Sequence, residues 1–426
     1  MNKTTAIILV GVLLIGAGIG VYFGVFFVPR ASQLRILNWG SFIDESLLAD
    51  FQTYWRERSG DGRFTVYIDF YTSNEELHNM ITAGGHNADL IVPSDYMVER
   101  MIREELIQPL NMNLLPALTH VVGSDRVFNP AVIDPSITNA MFENGINTAT
   151  NTFAVPYMYG TMGIMYDTSV AGLRTYLETN GWASLWSTAF GPVAFKNIGR
   201  ESYTVAQFVR NRDVLLNNAP ESQEFQDAMA RIFQTPERGQ YEINDVRALL
   251  QTLPNNTFWD TSGDDRMNDA FLGQINQSMG VEWSVNAVWA MKYNPHLQFF
   301  IPEEGTNLWI NNFVIPTNAV TVDAAHAFIN FVSNPARAKQ NMEVIGGTSP
   351  ILEAQKNLIE AHYEGEAYYS DAVETRLVNF MAAQFPSWQI VGGVAQPRTD
   401  IIARTGIMRS FGATLDAALN AMMIGL

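Results

Sequence analysis

Three tryptophans, Trp39, Trp283 and Trp309, each close a short apolar run and precede small or polar residues, in "LRILNWGS", "GVEWSV" and "TNLWINN". A core tryptophan normally sits inside an element. One at the carboxyl end of a strand in an α/β sheet sits where such sheets hold ligands. Indole faces attract cations by about 0.5–2 kcal/mol per contact, and they also lie flat against alkyl chains or sugar rings. Core packing accounts for any one of them. Three in the same local setting predict a shared binding cleft.

No set of residues predicts catalysis. The six histidines, His78, His86, His120, His296, His326 and His362, are scattered without metal-ligand spacing. There is no nucleophile elbow, P-loop or dinucleotide fingerprint. "GGHNAD" from Gly84 follows a helix pattern and precedes a strand, the wrong order for cradling phosphate, and reads as a helix stop. The acid pairs Asp264–Asp265 and Glu303–Glu304 have the residue types for acid–base work, and their setting predicts solvated loop charges. The expectation is a protein that is not an enzyme and carries no cofactor or metal.

Composition narrows the partners. The chain has 426 residues with 43 acidic against 26 basic, a formal charge of −17. That balance excludes nucleic acid as an expected partner and favours a cationic ligand. Cysteine is absent, so there is no disulfide, thiolate site or lipid-bearing cysteine. The run from Thr4 to Pro29 is uncharged, with Lys3 before it and Arg30 after. It exceeds the apolar region of a signal peptide, about 7–15 residues, and is long enough to span a bilayer. It predicts an anchor at the cell membrane with the remainder outside the cytoplasm. A cleaved signal peptide stays open, and Arg30 and Arg35 on the outer side run against the positive-inside bias.

The elements that must position the tryptophans follow from residue 34 on. Leu34–Leu37 reads as a strand, and Asp44 caps a helix with Leu47, Leu48, Phe51, Tyr54 and Trp55 at helical spacing. "RFTVYIDF" is a second strand, and "SNEELHNMITAGG" a helix opened by the capping box of Ser73 and Glu76. "ADLIVP" is a third strand and "SDYMVERMIREELIQPL" a third helix. This alternation with short links is the signature of a parallel sheet in an α/β fold. The middle, about 155 to 305, is aromatic-rich and less regular. Beyond Trp309, Asp323 is expected to cap one helix and Asn334–Pro335 to start another that stops at Gly346–Gly347. The tail to 426 reads as mostly helical.

Five blocks occur in order: "LRILNWGSFIDESLLADFQTYW", "ADLIVPSDYMVERMIREELIQPL", "FAVPYMYGTMGIMYD", "GTNLWINNFVIPTNA" and "FINFVSNPARAKQNMEVIGG". Together they resemble the spermidine/putrescine-binding proteins of bacterial ABC transporters, over nearly all of residues 34 to 350. The resemblance implies a two-lobed, type II-like periplasmic-binding-protein fold behind one N-terminal transmembrane helix. The implied division is an anchor at 4–29, a first lobe at 34–152 plus 310–350, and a second lobe at 153–309 plus 351–426. Ligand is implied to be trapped as the lobes close, with permease subunits as membrane partners and a monomeric receptor.

In that family aromatic walls sandwich the methylene chain of a polyamine while carboxylates bind its ammonium groups, as a buried ammonium requires. Carried over, Trp39, Trp283 and Trp309 match the family's aromatics, Ser94 and Tyr96 lie in the matching loop, and Glu201 matches an amine-binding carboxylate. Four positions depart. Phe42 stands where the family commonly has Tyr, Ile198 in place of an acid, Asn311 in place of an Asp, and Gly347 in place of an aromatic. Asp95 and Glu282 are the candidates to compensate. Two receptor functions therefore stay open, one for a polyamine and one for a different organic cation or neutral solute. An enzyme on this fold lacks a nucleophile–base pair, and a purely structural surface protein would not need a lined cleft.

Overall fold

A computed structural model describes residues 28–84, 87–234, 236, 238–260, 277–294, 296–363, 389–391, 394–396 and 404–424. Nearly all of the expected anchor at 4–29 lies outside these residues. Among the described residues no helix is long and apolar enough to cross a membrane.

The chain opens with β1 (Gln33–Trp39), α1 (Ser46–Ser59), β2 (Thr65–Tyr71), α2 (Asn74–Thr82), β3 (Leu90–Ile91) and α3 (Asp95–Arg103). The strands form a parallel sheet in the order β2-β1-β3, with Leu37 level with Asp69 and Ile91. Both faces of β1 are buried. Leu34 and Ile36 pack with Phe51 and Phe328, and Leu37 with Leu77 and Met97 on the other side. Helices cover both faces, as a parallel sheet requires. Asp44 accepts from the Ser46 amide just before α1. Ser73 accepts from the Glu76 amide, and Glu76 reaches back to the Thr72 amide and hydroxyl, so the expected capping box forms one residue wider.

Next come β4 (Ile107–Gln108), the hairpin β5 (Thr119–Val122) and β6 (Asp125–Phe128), and α4 (Pro135–Glu143). The irregular-looking middle then begins with β7 (Val155–Asp167), a 13-residue strand buried at every residue but its last. Burial on both sides removes the alternation by which a strand is recognised in sequence. After β7 lie α5 (Leu173–Asn180), β8 (Val193–Lys196), α6 (Gly199–Asn217), α7 (Gln223–Phe233), α8 (Gln240–Leu250), β9 (Phe258–Asp260), β10 (Met279–Trp283), α9 (Ser284–Tyr293) and β11 (Leu297–Phe300). They surround a second core built on Met162, Ile164, Trp182, Phe195, Phe208 and Val281.

The two cores are joined by β7, which runs through both. β12 (Thr306–Phe313) lies antiparallel to the first half of β7, and β10 to its second half. The first half of β7 supplies Val155, Tyr157 and Met158 to the first core, and the second half supplies Met162 and Ile164 to the second. The β7–β12 register shifts between Asn311 and Asn312, a bulge of the kind that re-aims side chains.

The chain returns to the first core through β13 (Ile315–Pro316), α10 (Val322–Val332), α11 (Pro335–Ile345) and α12 (Leu352–Tyr363). The cap of α10 is Thr321, with Asp323 inside the first turn, one correction to the expected boundary. Asn334 caps α11, and Gly346, at φ 81°, ends it in the left-handed conformation. Ile351, Ala354 and Leu358 also sit in the first core, although the chain from 351 on was expected in the second lobe. The tail adds β14 (Gln389–Val391) paired with β15 (Val394–Gln396), then β16 (Thr405–Gly406) beside β12 and the helix α13 (Ala413–Met422).

Candidate ligand-binding site

The parallel strands end on several of the candidate side chains. Trp39 is the last residue of β1, Lys196 of β8 and Trp283 of β10, while Ser94 follows β3. Carboxyl ends of parallel strands are where open α/β sheets bind ligands, because the loops there splay apart.

Trp39 is half-buried and fixed. Its Nε1 donates to the Val92 carbonyl at 2.9 Å, the same carbonyl that accepts the Tyr71 hydroxyl. Its ring centroid lies 4.8 Å from that of Tyr71. Trp309 is 7 % exposed and donates from Nε1 to the Thr161 carbonyl at 3.3 Å. The Phe42 and Trp283 rings lie 6.3 Å from it, Trp283 edge-on. Phe42, Trp309 and Trp283 thus form one aromatic run. Trp283 touches both cores, so this run spans the junction between them.

The polar candidates divide. Ser94 donates its hydroxyl to Asn311 Oδ1 at 2.7 Å, so these two satisfy one another across the β12 edge. Asp95, 2 % exposed, accepts the Ile310 amide at 3.0 Å and the Tyr96 amide at 2.7 Å. Burial pushes its carboxyl up to about 7 against the pull of those two amides. Asp95 therefore ties the start of α3 to β12, and its carboxylate is aimed at backbone. Tyr96 sits among acids. Its hydroxyl lies 3.3 Å from Glu75 Oε1, and burial first, then the charges of Glu75, Glu201 and Asp95, push its phenol well above the usual range. Glu201 is buried in the first turn of α6, and Glu75 lies in the first turn of α2. Helix N-termini stabilise carboxylates there.

Glu282 is held by the chain's own cation. It is buried, with Oε1 2.8 Å from Lys196 Nζ, and the same oxygen accepts from the Trp283 amide and the Asn286 side chain. Lys196 Nζ also lies 5.8 Å from the Trp283 ring centroid. Of the other departures, Ile198 stands 41 % exposed just before α6, and Gly347 is buried with Met158 Sδ 3.6 Å from where a Cβ would be.

Lys196 and Glu75 were missed from sequence. The signal for Lys196 was a lone cation ending the apolar strand "VAFK"; Glu75 was hidden inside the capping box. The Glu303–Glu304 pair also differs from expectation. Glu304 is buried, 3.1 Å from the partly exposed Arg212, and burial raises its carboxyl, so it is a buried, paired carboxylate rather than a solvated charge. Asp264 and Asp265 lie outside the described residues. Among the described residues no cluster of His, Asp and Glu is arranged to hold a metal.

Two α/β units, each with its own core and joined by crossing strands, define the two-lobed periplasmic-binding-protein fold. The chain belongs to the bacterial extracellular solute-binding protein family, which its residues 57–366 match. That family consists of transport binding proteins rather than enzymes. The chain is 25% identical over 343 residues to the spermidine/putrescine-binding periplasmic protein of Escherichia coli, covering 80% of this chain and 84% of that one. It is 25% identical over 309 residues to the putrescine-binding periplasmic protein PotF of the same organism, 71% of this chain and 73% of the relative. Among solved structures, the spermidine/putrescine ABC transporter substrate-binding protein of Streptococcus pneumoniae superimposes with a TM-score of 0.61 at 22% identity. The match covers 92% of this chain and 97% of that one.

Proposed function

We propose that the protein is the membrane-anchored substrate-binding component of an ABC importer, a monomeric receptor working outside the cytoplasm and delivering a captured polyamine to its permease. The ligand's methylene chain lies against Trp39, Phe42, Trp283 and Trp309, and lobe closure about β7 and β12 seals it in. The observation that carries this reading is Tyr96 set between Glu75 from one core, 3.3 Å from its hydroxyl, and Glu201 from the other, whose charge raises the Tyr96 phenol. Acids from both sides of a junction give an ammonium group the paired charge that burial demands. The relatives named for spermidine and putrescine support the same ligand class.

A second reading is favoured by a specific observation. Glu282 is engaged by Lys196 and Asp95 by two backbone amides, so fewer acids face a ligand than the family resemblance implies. A different organic cation then suits the aromatic run. Calorimetric titration with putrescine, spermidine, spermine and choline separates them. Micromolar or tighter binding of a polyamine, weakened at least about tenfold in Glu201→Gln, is the expected result. Binding of choline alone would select the second reading, and no heat from any of the four would remove both.

A further inference from the structure

Between β16 and α13 the chain runs as "IMRSF", Ile407–Phe411, and its side chains divide between the two lobes. Ile407 belongs to the cluster that holds Met97 and Met101 of α3, whereas Met408 and Phe411 are buried in the second core. Arg409 grips Glu99 of α3 with two prongs, Nε to Oε2 at 2.9 Å and Nη2 to Oε1 at 3.2 Å. The Ser410 amide donates to the same Oε2 at 3.2 Å, and Arg103, one turn further along α3, donates to the Ser410 hydroxyl at 2.9 Å. On its other side this strap is fixed to α6. The Phe233 carbonyl, at the end of α7, accepts both the Arg409 amide and Arg200 Nη2, each at 2.9 Å. The Arg200 guanidinium carbon lies 4.3 Å from the Phe411 ring centroid.

The two helices so joined carry the two sides of the site. Tyr96, Glu99 and Arg103 follow one another at three- and four-residue spacing on one face of α3, with Tyr96 in its first turn. Glu201 follows Arg200 in the first turn of α6. The strap therefore holds residues one turn from Tyr96 and next to Glu201, and the charge of Glu201 bears on the Tyr96 phenol. A stabilising role alone gives little reason for the grip on Glu99. The pair is partly solvated, with side-chain exposures of 29% for Arg409 and 19% for Glu99, and such pairs add little to stability. What a two-pronged pair does add is fixed geometry.

We infer that Arg409 is a positioning residue for the ligand site: through Glu99 it clamps the strap to α3, and so sets the spacing between Tyr96 on one lobe and Glu201 on the other. A ligand that touches both lobes binds in proportion to the fraction of molecules whose lobes are already so set. Loss of the clamp lowers that fraction, and the affinity falls with it.

The chain has no cysteine, so Ala49→Cys on α1 and Glu224→Cys on α7, both exposed, place one spin label on each lobe. The distance between the labels is measured on the full chain without ligand by pulsed electron resonance, and spermidine affinity by calorimetry on unlabelled protein. Arg409→Gln and Glu99→Gln should each broaden the distance distribution and weaken spermidine binding by about threefold to tenfold, the double variant being no worse than either alone. Arg409→Lys, which keeps the cation without the two prongs, should fall between wild type and Arg409→Gln. A role confined to folding would lower the unfolding temperature and leave both readouts of the folded protein as in wild type.

An unchanged distribution in Arg409→Gln overturns the inference whatever the ligand. A changed distribution with unchanged spermidine affinity overturns it too, since the strap would then set the lobes but not the site. The affinity measurement rests on the reading of the site as an amine receptor; the distance measurement does not. If neither spermidine nor putrescine binds wild type, that reading falls, and the distances alone decide for or against the clamp. Should Arg409→Gln fail to fold, Arg409→Lys and Glu99→Gln decide in its place.

Discussion

Gly160 lies opposite Trp309 in the β7–β12 ladder, and the Trp309 ring covers the space where a side chain would be. A Cβ added there would stand 2.3 Å from Ser284 Oγ and 2.6 Å from Trp309 Cζ2, closer than atoms can pack. Neither neighbour is free to yield. Ser284 Oγ accepts the Thr161 amide at 3.1 Å, and Trp309 is buried with its Nε1 on the Thr161 carbonyl. Gly160→Ala must therefore displace one of them. Overpacking of this kind costs about 1–3 kcal/mol, and loss of the Thr161–Ser284 hydrogen bond adds about 1 kcal/mol. The expected total is about 2–4 kcal/mol, read from urea unfolding. Tryptophan fluorescence should shift as well, because the ring that moves is an indole. In a double-mutant cycle with Ser284→Ala, which removes the nearest obstruction, at least about 1 kcal/mol should be recovered. A Gly160→Ala protein within about 0.3 kcal/mol of wild type, with unchanged fluorescence, would refute the seating of Trp309 on this glycine.

Asp95 sets a pH dependence. Its folded pKa of about 7 lies above the ordinary carboxyl value, so its contribution to stability is full below about pH 4 and is lost as pH rises through about 7. Asp95→Asn, which matches the neutral acid, should shrink the stability difference between pH 5 and pH 8 by about 2–3 kcal/mol in urea midpoints; an unchanged slope would sink the assignment. Asp89 has the opposite sign. Burial acts to raise its pKa, but Arg30 and the amides of Arg35, Val320 and Thr321 outweigh it, and the net value is lowered. Its contribution is present above the usual carboxylate range and is lost as pH falls through the lowered value. Asp89→Asn breaks its pairing with Arg30 and should cost about 3–5 kcal/mol at pH 7, a penalty that narrows in acid. Asn334→Ala removes the side chain that accepts the Ala336 amide at the start of α11 and should cost about 1 kcal/mol in thermal unfolding.

Much of the first lobe was legible because its signals are local. The Ser73–Glu76 box, the Asn334–Pro335 start and the stop at Gly346 lie within a few residues of the groups they satisfy. Trp283 closes β10 as the run "GVEWSV" indicates. β7 was not legible, since a strand buried on both faces carries no alternation. Nor were the fates of the candidate acids. Asp95 meets the amide of Ile310, 215 residues away in the chain, and Glu282 meets Lys196 from a separate strand.

The sequence by itself determined the alternation of strand and helix, the placing of tryptophans at strand ends, and an acidic chain without cysteine. These depend on periodicity, capping and composition, which act over a turn or a pleat. Only the tertiary structure decided which candidate carboxylates are paired with a cation or tied to backbone amides. Charge pairing is a property of distance in space, and when β8 is laid beside β10 a lysine and a glutamate far apart in the chain come within hydrogen-bond reach. For the same reason the partner of Lys196 was not legible, since its sequence neighbours give no hint of Glu282.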